Sequence, residues 1–122
     1  MSTRSSIGVK LPNEQIKAIY CHFDGYPSGV GKILKDHYTT EEKINTLMEL
    51  GDLSVLGPEI GEKQDFDNQN THNENWCLAY GRDRGQAETE ASIYSDIKEW
   101  VGETWVDYHY LWNGSNWEIT KA

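Results

Sequence analysis

Long apolar stretches, cysteine and positive charge are all scarce in this chain of 122 residues, and each shortage excludes a class of protein. No apolar run approaches the roughly 20 residues that a membrane-spanning helix needs, and the N-terminal residues do not resemble a signal peptide. The two cysteines, Cys21 and Cys77, lie far apart and do not form the paired spacing of a zinc site. We therefore expect a cytoplasmic protein with two reduced core cysteines, no metal site and no cofactor.

Acidic and basic residues are unevenly distributed along the chain. Residues 1–38 carry five Lys or Arg and three Asp or Glu, whereas residues 39–122 carry six basic and seventeen acidic residues. A net charge of −9 repels nucleic acid and attracts basic protein surfaces, although such a charge also serves plain solubility. We expect the densest acidic block, 41–76, to face a partner protein. The carboxylates expected to make the contacts are Glu59, Glu62, Asp65 and Asp67.

The rest of the composition is typical of one folded domain. Hydrophobic residues make up 37% of the chain, and five tryptophans and seven tyrosines are available to fill a core. A length of 122 residues is enough to bury such a core within one domain. We therefore interpret residues 1–122 as a single domain.

Apolar alternation and turn residues predict a hairpin at each end of the chain and a strand between them. The predicted strands cover 6–11, 16–23, 76–80, 106–112 and 116–120. Helical spacing and capping residues predict helices over 28–38, from Thr40 to Gly51, and over 86–101. The segment 52–75 is interpreted as a mobile loop. This order predicts an α+β fold with about five mainly antiparallel strands and about three helices on one face of the sheet.

A strand-like run followed by a glycine-rich bend occupies 19–32 (IYCHFDGYPSGVGK). It is not a nucleotide-binding P-loop, because five residues rather than four follow Gly25 before the Gly-Lys pair, and Ile33 replaces the metal-binding hydroxyl. A weaker expectation is an anion site at free amides of the helix start. Its residues would be Ser28 as the N-cap, Gly29, Gly31 and Lys32.

The same bend also fits a tight connection in which the glycines supply only backbone freedom. Backbone demands would then fix Gly25, Gly29 and Gly31, with Asp24 bracing the turn. Pro27 disfavours a helical residue before it, so the helix cannot begin earlier. Positive φ angles at these glycines would make alanine destabilising, whereas ordinary helical angles would make it stabilising.

A second candidate for anion binding is the glycine-framed turn 81–85 (GRDRG). The guanidinium fork matches phosphate or carboxylate, and Asp83 could orient either Arg82 or Arg84. These arginines are clustered in a chain that is otherwise poor in positive charge, so we expect them beside the Ser28 turn on a shared anion. The alternative is a loop held by a local ion pair.

Catalytic signatures are weak. His22 and His109 lie in aromatic strands and are interpreted as packed residues, and Cys21 and His22 are adjacent in a strand, so they cannot form a dyad. We assign no catalytic residues, and the sequence favours a binding protein over an enzyme.

Several motifs resemble a family of small phage and prophage proteins. They are the runs 2–8 (STRSSIG) and 19–27 (IYCHFDGYP), the pairs Val30-Gly31 and His37-Tyr38, and the turn 80–85 (YGRDRG). The resemblance covers most of the chain and implies a setting in the cytoplasm of a bacterial host, but it supplies no catalytic residues. It also implies that the protein acts by binding host factors, including defence proteins.

Three functions follow from these observations. The first is an anti-defence inhibitor that binds a basic, nucleic-acid-binding host protein, such as a CRISPR or restriction effector, through the acidic surface. The second is a binding protein or sponge for a nucleotide or phosphate, using the glycine-rich turn and the two clustered arginines. The third is an enzyme that acts on a phosphate ester.

Overall fold

One mixed sheet organises the computed structural model, which describes residues 3–121. Its strands are β1 (Ser5–Lys10), β2 (Ile16–Cys21), β3 (Leu53–Val55), β4 (Leu78–Ala79), β5 (Ser92–Tyr94), β6 (Tyr108–Trp112) and β7 (Trp117–Lys121). The helices are α1 (Lys32–His37), α2 (Glu41–Leu50), α3 (Tyr80–Arg84) and α4 (Ile97–Glu103). A π-helical turn, Pro27–Gly31, leads into α1, and a short 3-10 turn spans Gln69–Thr71. The α+β class is confirmed, with more strands and helices than predicted.

The sheet has the order β4-β3-β2-β1-β6-β7, and β5 pairs with the start of β2. Both predicted hairpins are confirmed, with Ile7 opposite Ile19 in the first and Tyr110 opposite Ile119 in the second. The two hairpins lie side by side because β1 pairs in parallel with β6. A second parallel contact joins β2 to β3, so the sheet is mixed rather than simply antiparallel.

Helices cover both faces of the sheet, so the prediction of one covered face was wrong. The larger core joins Ile7, Ile19 and Tyr110 to apolar residues of α1 and α2. The opposite face buries Trp100 of α4 against Ile16, with Ala18 and Leu111 in the same cluster. Successive residues of a strand point to opposite sides, and the middle strands β1 and β2 have buried residues on both, so each face has its own cover.

The predicted helix over 86–101 was wrong in its first half. Ile93 lies on the edge strand β5 and is 50% exposed, although its spacing had suggested a helix face. The helix α4 begins only after Asp96, whose carboxylate accepts a hydrogen bond from the backbone N–H of Glu99 at 2.8 Å. The Glu99 carboxylate in turn accepts from the hydroxyl of Ser95 at 2.6 Å, so the side chains of Asp96 and Glu99 together hold the start of the helix.

Two further boundaries differ from the predictions. The strand expected over 76–80 is reduced to Leu78–Ala79, and the glycine-framed turn after it forms the short helix α3. The segment 52–75 contains β3, which pairs with both β2 and β4. Apart from the 3-10 turn at Gln69–Thr71, the remainder of that segment is irregular and is anchored by the contacts described below.

Candidate functional site

The glycine-rich bend after β2 uses its own amides. Gly29 donates to the carbonyl oxygen of Tyr26 at 2.9 Å, and Val30 donates to the carbonyl oxygen of Asp24 at 2.8 Å. Tyr26 precedes the helical turn in an extended conformation, so Ser28 is not the N-cap and lies within the turn. These contacts correct the expectation of free amides for an anion.

Lys32, which was expected to contribute its charge to this anion site, forms an ion pair within α1 instead. The ammonium of Lys32 pairs with the carboxylate of Asp36 at 2.8 Å, one turn further along α1. The backbone N–H of Gly31 donates a long hydrogen bond of 3.5 Å to the carbonyl oxygen of Tyr26, within the turn. The bend is therefore a tight connection, as the alternative interpretation had it.

Close packing rather than an unusual φ explains the glycines of this bend. Gly25, Gly29 and Gly31 are not among the residues with positive φ, whereas Asp24 has a φ of 57°. A Cβ at Gly29 would overlap the carbonyl oxygen of Asp24, and one at Gly25 would lie 2.8 Å from the carbonyl oxygen of Thr3. The glycines do not adopt the positive φ angles considered above, but the backbone does fix these positions and Asp24 does brace the turn.

Arg82 and Asp83 form a buried clamp instead of a surface anion site. The guanidinium of Arg82 donates to the carbonyl oxygens of Ile60 at 2.8 Å and Cys77 at 2.7 Å, and its Nε lies 2.9 Å from Oδ1 of Asp83. The Asp83 side chain is fully buried. Because internal acceptors occupy the arginine fork, Arg82 is not available to grip an external phosphate in this arrangement.

The carboxylate of Asp83 continues the clamp into the loop. It accepts from the backbone N–H of Gln64 at 2.7 Å and from that of Ala79 at 2.7 Å. Gln64 is itself buried, and its amide nitrogen donates to the carbonyl oxygen of Cys77 at 3.2 Å. The ion pair of Arg82 and Asp83 therefore fastens the middle of the loop to the end of β4. This agrees with the alternative of a local ion pair, although the pair holds more of the chain than its own turn.

The anchored segment 59–76, which we call the acidic loop, displays carboxylates. Its two ends are joined by hydrogen bonds from Glu59 to Asn75 at 2.9 Å and from Cys77 to Glu59 at 3.0 Å. The residues predicted to contact a partner are all exposed: Glu59, Glu62, Asp65 and Asp67. In addition, Oδ1 of Asp65 accepts from the backbone N–H of Asp67 at 3.2 Å, so Asp65 also shapes the loop.

A groove of about 490 Å³ opens between the acidic loop, the end of β2 and α3. Its lining residues are His22, Phe23, Ser54, Val55, Phe66, His72, Leu78, Tyr80 and Arg84. They come from separate segments of the chain, which the parallel contact of β2 with β3 brings together. Sequence reasoning missed this groove, and no local motif signals it.

Aromatic and cationic groups are paired within the groove. The rings of Phe66 and Tyr80 lie 5.4 Å apart, and the guanidinium of Arg84 lies 5.4 Å from the centre of the Phe66 ring. Nε2 of His72 is 2.7 Å from the carbonyl oxygen of Asp65. Because a carbonyl oxygen only accepts, this nitrogen carries a proton, and the position of the imidazole is set by the loop backbone.

The two arginines of the GRDRG turn have different surroundings. Arg82 is engaged by the clamp, and Arg84 lies over Phe66 at the groove. Ser28 is exposed in the bend before α1 and is not a lining residue of the groove. Arg84 lines this groove together with His22 and His72, and a joint site of Ser28 with the arginines stays a prediction.

The cysteine thiols are poor candidates for nucleophiles. Burial raises the pKa of the Cys21 thiol to about 12 and also raises the pKa of Cys77. Tyr38, whose hydroxyl donates to the carbonyl oxygen of Gly57 at 2.7 Å and lies 3.3 Å from Sγ of Cys77, has its pKa raised by the same burial. A buried thiol that resists ionisation is a packing group rather than a reactive one.

The described part of the chain has neither a metal-binding cluster nor a membrane-spanning helix. Residues 3–121 contain no group of three or more His, Cys, Asp or Glu side chains arranged to hold a metal ion. None of the helices described within these residues is long and apolar enough to cross a membrane.

Comparison of the chain with protein-family models, curated proteins and solved structures finds no match. The resemblance to small phage proteins therefore stays a prediction.

Proposed function

We propose that this chain is a small acidic accessory protein of phage type that acts by binding, and that it inhibits a nucleic-acid-binding defence protein of the host. The acidic loop is the contact surface, and the partner offers a basic surface that otherwise holds nucleic acid. The loop competes for that surface by presenting carboxylates in place of phosphates.

The observation that supports this proposal best is the combination of exposed charge and buried anchoring in one segment. The carboxylates of Glu59, Glu62 and Asp67 point to solvent, while Gln64 is held by the clamp of Arg82 and Asp83. A loop that is already ordered loses less conformational entropy on binding than a flexible one. The anchored backbone also limits the positions that the exposed carboxylates can take before a partner binds.

The chemistry of the interior favours binding over catalysis. Both thiols are buried with raised pKa values. The buried Asp83 is committed to Arg82 and to two backbone N–H groups. None of these groups is placed to attack or deprotonate a substrate at the surface.

The test measures nucleic-acid cleavage by a panel of purified CRISPR and restriction effectors in the presence of the chain. We expect inhibition of at least one effector, and the inhibition should weaken steeply between low and high salt because the contact is electrostatic. The loop variant combines Glu59→Lys, Glu62→Lys and Asp67→Lys, and it leaves Asp65 in place because that side chain shapes the loop. This variant should lose inhibition.

The matched control combines Glu88→Lys, Glu90→Lys and Glu103→Lys, which are exposed positions outside the acidic block 41–76. It changes the net charge by the same amount as the loop variant and should keep its inhibition. Equal behaviour of the two variants would show that only total charge matters. Absence of inhibition by the unmodified chain across the panel, together with no partner in native mass spectra of the protein from infected cells, would contradict the proposal.

A further inference from the structure

We propose that the groove beside the acidic loop binds a small heteroaromatic anion of the mononucleotide class. The base would stack on the aromatic wall, and the phosphate would meet the guanidinium of Arg84. This site is separate from the protein-binding function proposed above and does not depend on it.

The described lining of the groove carries one cation and no carboxylate, although the molecule as a whole is acidic. The chain has a net charge of −9, yet the described residues that line the groove include Arg84, His22 and His72 and no carboxylate. Cationic and hydrogen-bond-donating groups gathered in an otherwise acidic protein favour a small anion there. The same net charge and the adjacent acidic loop disfavour a long polyanion such as RNA or DNA.

The walls of the groove suit a planar ring. Phe66 and Tyr80 form a tilted pair with centroids 5.4 Å apart, and Phe23 is 42% exposed with its ring edge-on to His22 at 4.5 Å. Stacking on exposed aromatic side chains is a recurrent way of binding bases of any identity. Val55 and Leu78 supply the apolar part of the lining, as in most small-molecule sites.

The polar groups are held in place before a ligand arrives. The His72 ring is fixed by the Asp65 carbonyl oxygen at 2.7 Å, and Nδ1 of His22 lies 2.6 Å from the hydroxyl of Tyr20. Phe66 is tied to the clamp because its backbone N–H donates to the carbonyl oxygen of Asp83 at 3.3 Å. A volume of about 490 Å³ falls within the roughly 300–1,000 Å³ usual for small-molecule sites.

The test titrates the isotopically labelled full chain with AMP, GMP, CMP and UMP and follows backbone amide resonances. We expect saturable shifts at His22, Phe66, His72 and Arg84. AMP should bind more tightly than adenosine or inorganic phosphate, because each of these offers only half of the contacts. A ten-nucleotide single strand should bind no better than AMP, and tighter binding of the strand would overturn the mononucleotide assignment.

Two variants localise the binding. Arg84→Gln should weaken AMP binding about tenfold through loss of a charge-assisted contact, and Phe66→Leu about fivefold or more through loss of stacking. Lys98→Gln removes the same charge from an exposed position of α4 and should leave AMP affinity unchanged. A flat titration of the unmodified chain with all four mononucleotides, or unaltered affinity in Arg84→Gln, would refute the site without affecting the inhibition assay.

Discussion

Replacing Arg82 with alanine should cost more stability than any other loss of one positive charge in this chain, because its partner is buried. The Asp83 side chain is fully buried and that of Arg82 is 18% exposed. Removing one member of a buried ion pair typically costs about 3–5 kcal/mol. The carboxylate keeps two backbone N–H donors, from Gln64 and Ala79, so we place the loss at the lower end, about 3 kcal/mol.

The assay is urea unfolding of the purified protein, followed by tryptophan fluorescence and circular dichroism. Arg84→Ala is the matched control, because it removes the same charge two residues away from an exposed side chain. It should change the free energy of unfolding by about 0.5 kcal/mol or less. Arg82→Lys keeps a cation but loses the planar fork that reaches Ile60 and Cys77, so it should fall between the two.

Hydrogen exchange distinguishes a global effect from a local one. Loss of the clamp should expose the amides of Gln64 and Ala79, which donate to Asp83, before it exposes the central strands. Equal unfolding free energies for Arg82→Ala and Arg84→Ala would refute the argument, since the buried pair would then contribute no more than a surface charge.

Three further outcomes follow from packing, protonation and burial. Gly29→Ala should destabilise the fold by about 1–3 kcal/mol in thermal or urea unfolding, because the added Cβ would overlap a backbone carbonyl oxygen. Gly102→Ala is the control: its Cβ would meet nothing within 4 Å, so this change should stabilise α4 by about 0.5–1 kcal/mol. Stabilisation by both changes would contradict the packing argument. Burial lowers the pKa of His109 below its ordinary value of 6.5, so the imidazole takes up a proton more readily in the unfolded chain than in the folded one. The neutral buried imidazole therefore contributes its full stabilisation above pH 6.5, and this stabilisation is lost as the pH falls toward the pKa of the folded state. The free energy of unfolding in urea should therefore fall less between pH 7 and pH 5 for His109→Gln than for the unmodified chain. An identical pH profile for the two proteins would contradict this role of His109. Cys21 and Cys77 should resist a thiol reagent at pH 8 until the chain unfolds, and rapid labelling of the native protein would contradict their burial.

The elements that the sequence predicted well are those stabilised by neighbours in the chain. The hairpin formed by β1 and β2 and the one formed by β6 and β7 each bring together strands that a short turn connects. The helix α2 has its predicted ends, since the Thr40 hydroxyl accepts from the Lys43 N–H at 3.4 Å and Gly51 adopts a φ of 83°. Both ends depend on contacts within a few residues, which residue order alone can indicate.

The elements that were wrong depend on partners remote in the chain. Ile93 belongs to a strand because β2 offers it an edge through Lys17, and its own spacing fits a helix equally well. Arg82 faces Ile60 and Cys77 rather than an anion, and only the folded loop brings those carbonyl oxygens within reach. Patterns of residue type record which side chains could form an ion pair, but not which backbone groups will surround it.

The sequence by itself determined the α+β class, the terminal hairpins, the buried cysteines and the acidic character of 41–76, because these follow from composition, local periodicity and local capping. Only the tertiary structure decided that α4 covers the second face of the sheet and that Arg82 and Asp83 anchor the acidic loop. It also decided that Arg84 shares a groove with His22 and His72. Strand pairing across long sequence separations creates these arrangements, and burial then determines which charged groups are consumed inside and which remain at the surface.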